Sequence, residues 1–202
     1  MSLLGYDDED QRRDVWDWYR RGYNVVVNTN IGWGQEGRNN MGAGLARQAA
    51  QRFPDLNLKY GAYCRELVLR ASPEKIKIPL VAFYEQERLV MLPVKPFLDP
   101  HNPERSWDQL ASSALIEKSV IALALGIKAR RPGAGGQCYV MTLPGAGNGG
   151  LSPVEVYKLV APLVADLWEL QIIDFSLAVP ACDFMSPEDR ARAAGLRSVE
   201  TA

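Results

Sequence analysis

Val25-Val26-Val27-Asn28-Thr29-Asn30 and, after a loop, Asn40-Met41-Gly42-Ala43-Gly44-Leu45-Ala46 decide the fold of this chain. The β-branched run predicts a buried strand over 23–28. The apolar spacing that follows the glycines predicts a helix over 42–53, which Pro54 ends. A strand that leads through a glycine-rich loop into a helix lets backbone N–H groups approach a ligand closely, because glycine adopts backbone angles that other residues avoid.

A second glycine-rich stretch, Pro144-Gly145-Ala146-Gly147-Asn148-Gly149-Gly150-Leu151, follows a strand predicted over 137–143. Ser152-Pro153-Val154-Glu155 then predicts a helix start, with a capping box and proline at the first helical position. Because a helix N-terminus carries unpaired N–H groups and a partial positive charge, two such loops suit two phosphates or the two ends of one diphosphate. An ordinary turn is the alternative for 147–150.

The remaining pattern predicts an α/β fold of three layers, α/β/α, with a mixed central sheet covered on both faces. We interpret the 202 residues as a single domain with its core at about 23–180, extended by an N-terminal helix and a C-terminal tail. The other predicted elements are helices over 8–21 and 56–69 and a long helix around Ile116, Val120 and Leu123, strands over 78–84, 88–94 and 172–179, loops over 96–105 and 131–136, and a helix bend at Pro162.

Composition and charge exclude several classes of protein. The formal net charge of −1 gives no global positive field that would attract nucleic acid or an acidic membrane. Cys64, Cys138 and Cys182 lie far apart and form no C-x-x-C pair, which argues against a disulfide framework or a zinc site and favours the cytoplasm. The acidic start is not a signal peptide, and no apolar run is long enough for a bilayer. We therefore expect no membrane partner, no metal and no cofactor.

Familiar phosphate-binding and hydrolase signatures do not fit this sequence. No Gly-Lys-Ser/Thr of a P-loop occurs. Gly42-Ala43-Gly44 lacks the third glycine of a dinucleotide fingerprint, and the G-x-G-x-x-G match over 32–37 has its helix delayed. No G-x-S-x-G elbow occurs, and the single histidine, His101, cannot complete a triad. These absences count against a nicotinamide-dependent oxidoreductase and a serine hydrolase.

Together the motifs resemble the macro domain, the ADP-ribose-binding fold. In that family a strand ending V-N-x-x-N precedes a glycine-rich helix start, and a later G-x-G-x-G-G-L loop closes over the ligand. Here the first motif reads Val27-Asn28-Thr29-Asn30, one residue tighter. The M-G-x-G-L-A form is closest to the branch of terminal ADP-ribose glycohydrolases and antitoxins that remove ADP-ribose from DNA. The resemblance covers roughly 23–179 and extends to Phe53-Pro54, Tyr60, Lys95, Trp107, Ser112 or Ser113, and Ile116-Glu117.

The resemblance implies a role for each part of the site. Asn28, Thr29 and Asn30 would face the distal ribose, whose hydroxyls an amide can bind as donor or acceptor. The backbone of Met41, Gly42, Ala43, Gly44 and Leu45 would meet one side of the diphosphate. The stretch from Pro144 to Leu151 would wrap the other side, with Asn148 near the distal ribose. The implied catalytic residues are Lys95, which matches the lysine that attacks the anomeric carbon, and Asn30; Asp7 and Phe184 are the candidates for binding adenine.

Two departures from the family bear on the function. Gly149 stands where the glycohydrolases carry an aspartate, and the stretch 31–39, with Trp33, is longer than in the antitoxins. The leading hypothesis is a monomeric enzyme that binds ADP-ribose and hydrolyses an ADP-ribosyl linkage on DNA, protein or a small molecule. The alternative is a module that binds ADP-ribose or an NAD-derived signal without turnover.

The residues alone also allow plainer interpretations. Asn28 and Asn30 fit the end of a strand with an Asx turn. Lys95 fits a solvated surface group, since only burial or a neighbouring cation makes a lysine nucleophilic. Phe184 fits a hydrophobic plug at the edge of the sheet.

Overall fold

The computed structural model describes residues 15–69, 80–99, 101–130 and 137–173. Short 3-10 helices at Pro103–Asp108, Gly147–Gly149 and Ala161–Val164 accompany the regular elements. Those elements are the helices α1 (Val15–Arg20), α2 (Gly44–Arg52), α3 (Leu56–Leu69), α4 (Ser113–Arg130) and α5 (Pro153–Val160), and the strands β1 (Asn24–Asn30), β2 (Ala82–Tyr84), β3 (Leu89–Lys95), β4 (Tyr139–Thr142) and β5 (Leu170–Ile173).

A five-stranded sheet in the order β2-β3-β1-β4-β5 forms the middle layer. β1 pairs in parallel with β3 and with β4, and β4 pairs in parallel with β5. β2 is antiparallel to β3 at one edge. The carboxyl ends of four parallel strands therefore meet at one end of the sheet, which is where open α/β sheets place their ligands.

Alternation along β1 divides the core between the two faces of the sheet. Val25 and Val27 pack against α1, α2 and α3, in a cluster with the buried Trp16. Val26 packs on the opposite face with residues of α4 and α5, among them Ile116. The mixed sheet with helices on both faces confirms the predicted α/β class.

Several element boundaries differ from those predicted. β1 continues through Asn30, because its pairing with β3 extends that far. α2 begins at Gly44 and not at 42, because Ala43 is extended, with φ −143° and ψ 160°. The Ser152 side chain makes no capping hydrogen bond, so the predicted capping box does not form.

Other differences concern proline positions and strand ends. Pro162 does not bend α5: the helix ends at Val160 and a 3-10 helix follows, since proline supplies no N–H for an α-helical bond. The predicted loop over 96–105 contains the start of the 3-10 helix Pro103–Asp108. β5 begins two residues earlier than predicted, at Leu170. Four predicted stretches lie wholly or partly outside the described residues: 8–14, 78–79 of the strand predicted over 78–84, the connector 131–136, and 174–179.

Candidate ligand-binding site

The two glycine loops lie side by side at the carboxyl ends of the strands. A Cβ atom placed on Gly44 would lie 3.7 Å from Nδ2 of Asn148. Residues 42–44 of the first loop are exposed, as are 147–148 and Gly150 of the second. The two loops come together because they follow β1 and β4, which are neighbours in the sheet. Exposed backbone from both loops therefore borders one region of the surface.

The start of α2 offers backbone donors to that region. The helix has nine residues, and its N-cap residue, Ala43, provides no side-chain capping hydrogen bond. Arg47 N makes the first intrahelical bond, to the carbonyl of Ala43. The N–H groups of residues 44–46 consequently have no partner within the helix. An uncapped helix start of this kind, at the positive end of the helix dipole, suits a phosphate group.

The second glycine loop is shaped by its backbone. Gly145, Gly147 and Gly150 have φ angles of 83°, 67° and 78°, in the left-handed region. Ala111 N donates to the carbonyl of Gly149 at 3.0 Å, and a Cβ atom on Gly149 would lie 2.9 Å from Cβ of Ala111. The loop is thus held tightly against the residues that lead into α4, and only glycine fits this path.

Asn28 has an amide oxygen without a partner. Its Nδ2 donates to Oγ1 of Thr142 across β1 and β4, at 2.9 Å. Its Oδ1 is buried and accepts no hydrogen bond from any described residue. A buried acceptor left unpaired costs about 1–3 kcal/mol. The free oxygen is therefore suited to accept a hydrogen bond from a hydroxyl group of a ligand.

Thr29 points to the opposite face of the sheet. Its hydroxyl donates to Oη of Tyr60 at 2.9 Å, and its side chain is buried. Burial raises the pKa of Tyr60 well above its ordinary value, and burial also raises the pKa of the neighbouring Cys64 thiol to about 12. Thr29 thus uses its hydroxyl within the core, where the thiol of Cys64 is also buried.

Asn30 closes the loop between β1 and α2. Its Nδ2 donates to the carbonyl of Asn40 at 2.8 Å. Its Oδ1 accepts from Gly32 N at 2.9 Å and from Nδ2 of Asn39 at 3.0 Å. Asn39, buried at 2% exposure, also donates to the carbonyls of Gly32 and Asn30. Asn30 therefore keeps a single amide hydrogen for a ligand. No pattern in the sequence indicated that the Asn39 side chain holds this loop together.

Lys95 ends β3 directly opposite Asn30 on β1. Its Nζ donates to the carbonyl of Trp107 at 2.7 Å. Partial burial lowers the pKa of Lys95, while the Asp108 carboxylate acts in the opposite direction. A lower pKa increases the share of neutral amine, which is the nucleophilic form of lysine. The strand ends thus place Lys95 beside Asn30 in the sheet, with the amine held at the Trp107 carbonyl.

The remaining candidate residues have different surroundings. Met41 and Leu45 are buried in the core, so their side chains anchor the first loop. Trp107 is 47% exposed. Asp7 and Phe184 lie outside the described residues.

The described ranges contain neither a metal-binding cluster nor a membrane-spanning helix. No group of three or more His, Cys, Asp and Glu side chains there could hold a metal ion. In the same part of the chain, no helix has the length and apolar character needed to cross a membrane.

Solved structures with the same architecture include macrodomains. The macrodomain of Mycobacterium tuberculosis DarG matches with a TM-score of 0.55 and 18% identity, over 77% of this chain and 90% of that one. The macrodomain of Thermus aquaticus DarG matches with a TM-score of 0.53 and 22% identity, over 75% and 87%. Thermosipho africanus DarTG in complex with ADP-ribose matches with a TM-score of 0.58 and 17% identity, over 89% of this chain and 43% of that one.

Sequence comparison adds no relative. No protein-family model matches the chain, and no curated protein matches it. At the identities of the structural matches, the likeness establishes the fold, which is that of a macrodomain as the sequence motifs predicted.

Proposed function

We propose that this chain, which has the macrodomain fold, binds ADP-ribose and hydrolyses an ADP-ribosyl linkage. The observation that carries the proposal is the meeting of two exposed glycine loops, with Gly44 beside Asn148, where the parallel strands end. The matching structure from Thermosipho africanus was solved with ADP-ribose, which supports the choice of ligand.

The diphosphate lies between the two loops in this proposal. The N–H groups at the start of α2 face one phosphate, because no side chain caps them. The backbone of residues 144–151 faces the other phosphate. The N–H groups of Ala146, Gly150 and Leu151 bond within the loop, so the donors are the N–H groups that the loop does not use itself. Backbone donors suffice for this task, since a diphosphate presents acceptors in every direction.

The distal ribose lies against the end of β1. Asn28 accepts a ribose hydroxyl with its unpaired Oδ1. Asn148, exposed beside Gly44, contacts the same sugar from the second loop. Asn30 acts with its remaining amide hydrogen and by holding the carbonyl of Asn40, which fixes the entry to the first loop.

Lys95 supplies the chemistry. Its neutral amine attacks the anomeric carbon of the distal ribose as the bond to the carrier breaks. The carrier leaves with the bonding electron pair and takes up a proton, and the amine loses one. Water then attacks the same carbon as the carbon–nitrogen bond to Lys95 breaks, and the proton that the water loses passes to the amine, which restores the lysine and releases ADP-ribose. Positioning of the amine against the sugar supplies most of the rate in this scheme.

Calorimetry and a release assay test the proposal together. We expect ADP-ribose to bind more tightly than ADP, because only ADP-ribose reaches Asn28 and Asn148. We expect ADP-ribose to be released from ADP-ribosylated DNA, protein or a small ester. Lys95→Ala should abolish release and leave ADP-ribose affinity unchanged, whereas the exposed Lys118→Ala should change neither.

Two results would contradict parts of the proposal. Equal affinity for ADP and ADP-ribose would contradict the proposed contacts of Asn28 and Asn148 with the distal ribose. Tight binding of ADP-ribose without release from any of the three carriers would favour the second candidate function, a binding module without turnover. Gly149 favours that second function, because it provides no carboxylate in the second loop.

A further inference from the structure

We propose that Ser106 is a positioning residue for the amine of Lys95. The inference rests on the hydrolytic role proposed above for that lysine. Ser106 lies within the 3-10 helix Pro103–Asp108 and is only 3% exposed. Its Oγ donates to the carbonyl of Pro96 at 2.9 Å and accepts from Ile31 N at 3.2 Å. One buried hydroxyl thus joins the 3-10 helix, the chain directly after β3 and the loop directly after β1.

The next residue along the chain holds the amine itself. The carbonyl of Trp107 accepts a hydrogen bond from Nζ of Lys95 at 2.7 Å. A lysine side chain has four rotatable bonds and samples many rotamers unless its end is held. The place of the amine therefore depends on the place of the 3-10 helix, and Ser106 fixes that helix one residue before the carbonyl.

The long loop after β1 presses on the same helix. A Cβ atom on Gly32 would lie 2.1 Å from the carbonyl oxygen of Pro103 and 2.8 Å from Cβ of Ser106, so backbone and helix are in direct contact. Trp33 stacks on Phe97, with ring centroids 5.5 Å apart and planes at 10°. Residues 31–33 thereby contact both the 3-10 helix and the chain after β3, and these contacts keep the 3-10 helix and the Trp107 carbonyl in place.

Ser119 provides a matched control. Its side chain is fully buried, and its Oγ donates to the carbonyl of Pro93 at 2.7 Å. Ser119→Ala removes the same kind of hydrogen bond, to a carbonyl within β3 three residues before Pro96, but from α4 and not from the 3-10 helix. A purely structural role predicts the same outcome for Ser106→Ala and Ser119→Ala.

The first experiment measures turnover and binding separately. At saturating ADP-ribosylated substrate, we expect Ser106→Ala to lower kcat by about tenfold or more, since small displacements of an attacking group cost up to ~100-fold. The Kd for ADP-ribose should stay unchanged. Ser119→Ala should leave kcat and the Kd for ADP-ribose unchanged and lower only the free energy of unfolding. Equal kcat in the two variants would overturn the proposal.

The second experiment does not depend on turnover. The folded proteins are labelled with a trace of an amine-reactive reagent, and mass spectrometry measures the labelling rate of the peptide that carries Lys95. We expect Lys95 to label several-fold faster in Ser106→Ala and Gly32→Ala than in the wild-type protein or Ser119→Ala. Gly32→Ala displaces the helix by steric contact and keeps the Ser106 hydroxyl in the sequence.

The two experiments separate the two proposals. If the wild-type protein releases ADP-ribose from no carrier, the hydrolytic function fails, and the labelling rates alone decide whether Ser106 positions the amine. Unchanged labelling in both Ser106→Ala and Gly32→Ala would refute the positioning role even in an active enzyme.

Discussion

The two glycine loops border the same region but are held by opposite means. The first is held by side-chain amides: Asn39 donates to two backbone carbonyls, and Asn30 holds the carbonyl of Asn40. The second is held by its own backbone, with left-handed glycines pressed against Ala111. A loop held by side chains is damaged by removing atoms, whereas a loop held by close backbone packing is damaged by adding them.

The largest effect is expected in the second loop, from Gly145→Ala. The added Cβ would lie 2.7 Å from Cδ1 of Ile116 and 2.8 Å from Cβ of Ala111, at a φ of 83°. Left-handed strain of about 1–2 kcal/mol and overpacking of about 1–3 kcal/mol should together lower the free energy of unfolding by roughly 2–5 kcal/mol. Urea denaturation measures this loss, and ADP-ribose affinity should fall with it.

Gly147→Ala is the matched control for that substitution. Its φ is 67°, but a Cβ there would meet nothing within 4 Å. Only the strain of about 1–2 kcal/mol should remain. Equal losses at both glycines would mean that close packing does not hold the second loop.

The next largest effect is expected in the first loop, from Asn39→Ala. The substitution leaves buried carbonyl groups without their donor, which should cost about 1–3 kcal/mol. Hydrogen exchange should speed up across residues 31–40. Asn57→Ala is the control, because Asn57 contacts Asn39 through its backbone carbonyl and, among the described residues, its side chain bonds only to the exposed guanidinium of Arg38. A loop that exchanges equally fast in both variants would contradict the role given to the Asn39 amide.

A smaller effect, on binding alone, is expected from Asn28→Ala. Loss of one hydrogen bond to the distal ribose should weaken ADP-ribose binding by about 0.5–1.5 kcal/mol, up to about tenfold, and leave ADP binding unchanged. Calorimetry measures both. Thr29→Val is the control, because that hydroxyl bonds to Tyr60 on the other face of the sheet. An equal loss for ADP would show that Asn28 does not contact the ribose.

The smallest effect is expected from a partly exposed ion pair between α3, the helix under the first loop, and the turn that precedes β3. Lys59 Nζ lies 2.6 Å from Oε1 of Glu87, and the hydrogen bond lowers the pKa of Glu87 and raises the pKa of Lys59. A lowered carboxyl pKa gives stabilisation that is present above the unfolded pKa and lost as pH falls through the folded one. The lysine's share is present below its unfolded pKa and lost as pH rises through the folded one.

Glu87→Gln should therefore lower the melting temperature slightly at neutral pH and not at all in acid. Solvent screens a partly exposed pair, so the change should be smaller than that of Asn39→Ala. Thermal melting on both sides of the ordinary glutamate pKa measures it. A large loss at neutral pH would mean that the ion pair, and not the amide residues, supports the first loop.

The features that the sequence predicted well have local causes. Both glycine loops were identified because glycine and the helix pattern after it lie within a few residues of each other. α3 has the bounds predicted from its apolar pattern, Leu56–Leu69. The mixed sheet followed from strands that alternate with helices.

The features that the sequence could not predict depend on distant partners. Ser106 joins Ile31 and Pro96, and Asn39 joins both ends of its loop, yet in sequence each looks like a polar residue of an exposed turn. The hydrogen bonds that the Asn30 amide makes within the same loop could not be predicted for the same reason. The capping box at Ser152 was a correct local pattern that the folded loop does not use.

Backbone NMR during titration tests the central claim most directly, which is that both glycine loops bind one diphosphate. On addition of ADP-ribose, the amide signals of residues 43–46 and of residues 145–150 should shift together and give the same Kd. Shifts confined to one of these stretches, or shifts that give two different Kd values, would contradict the account.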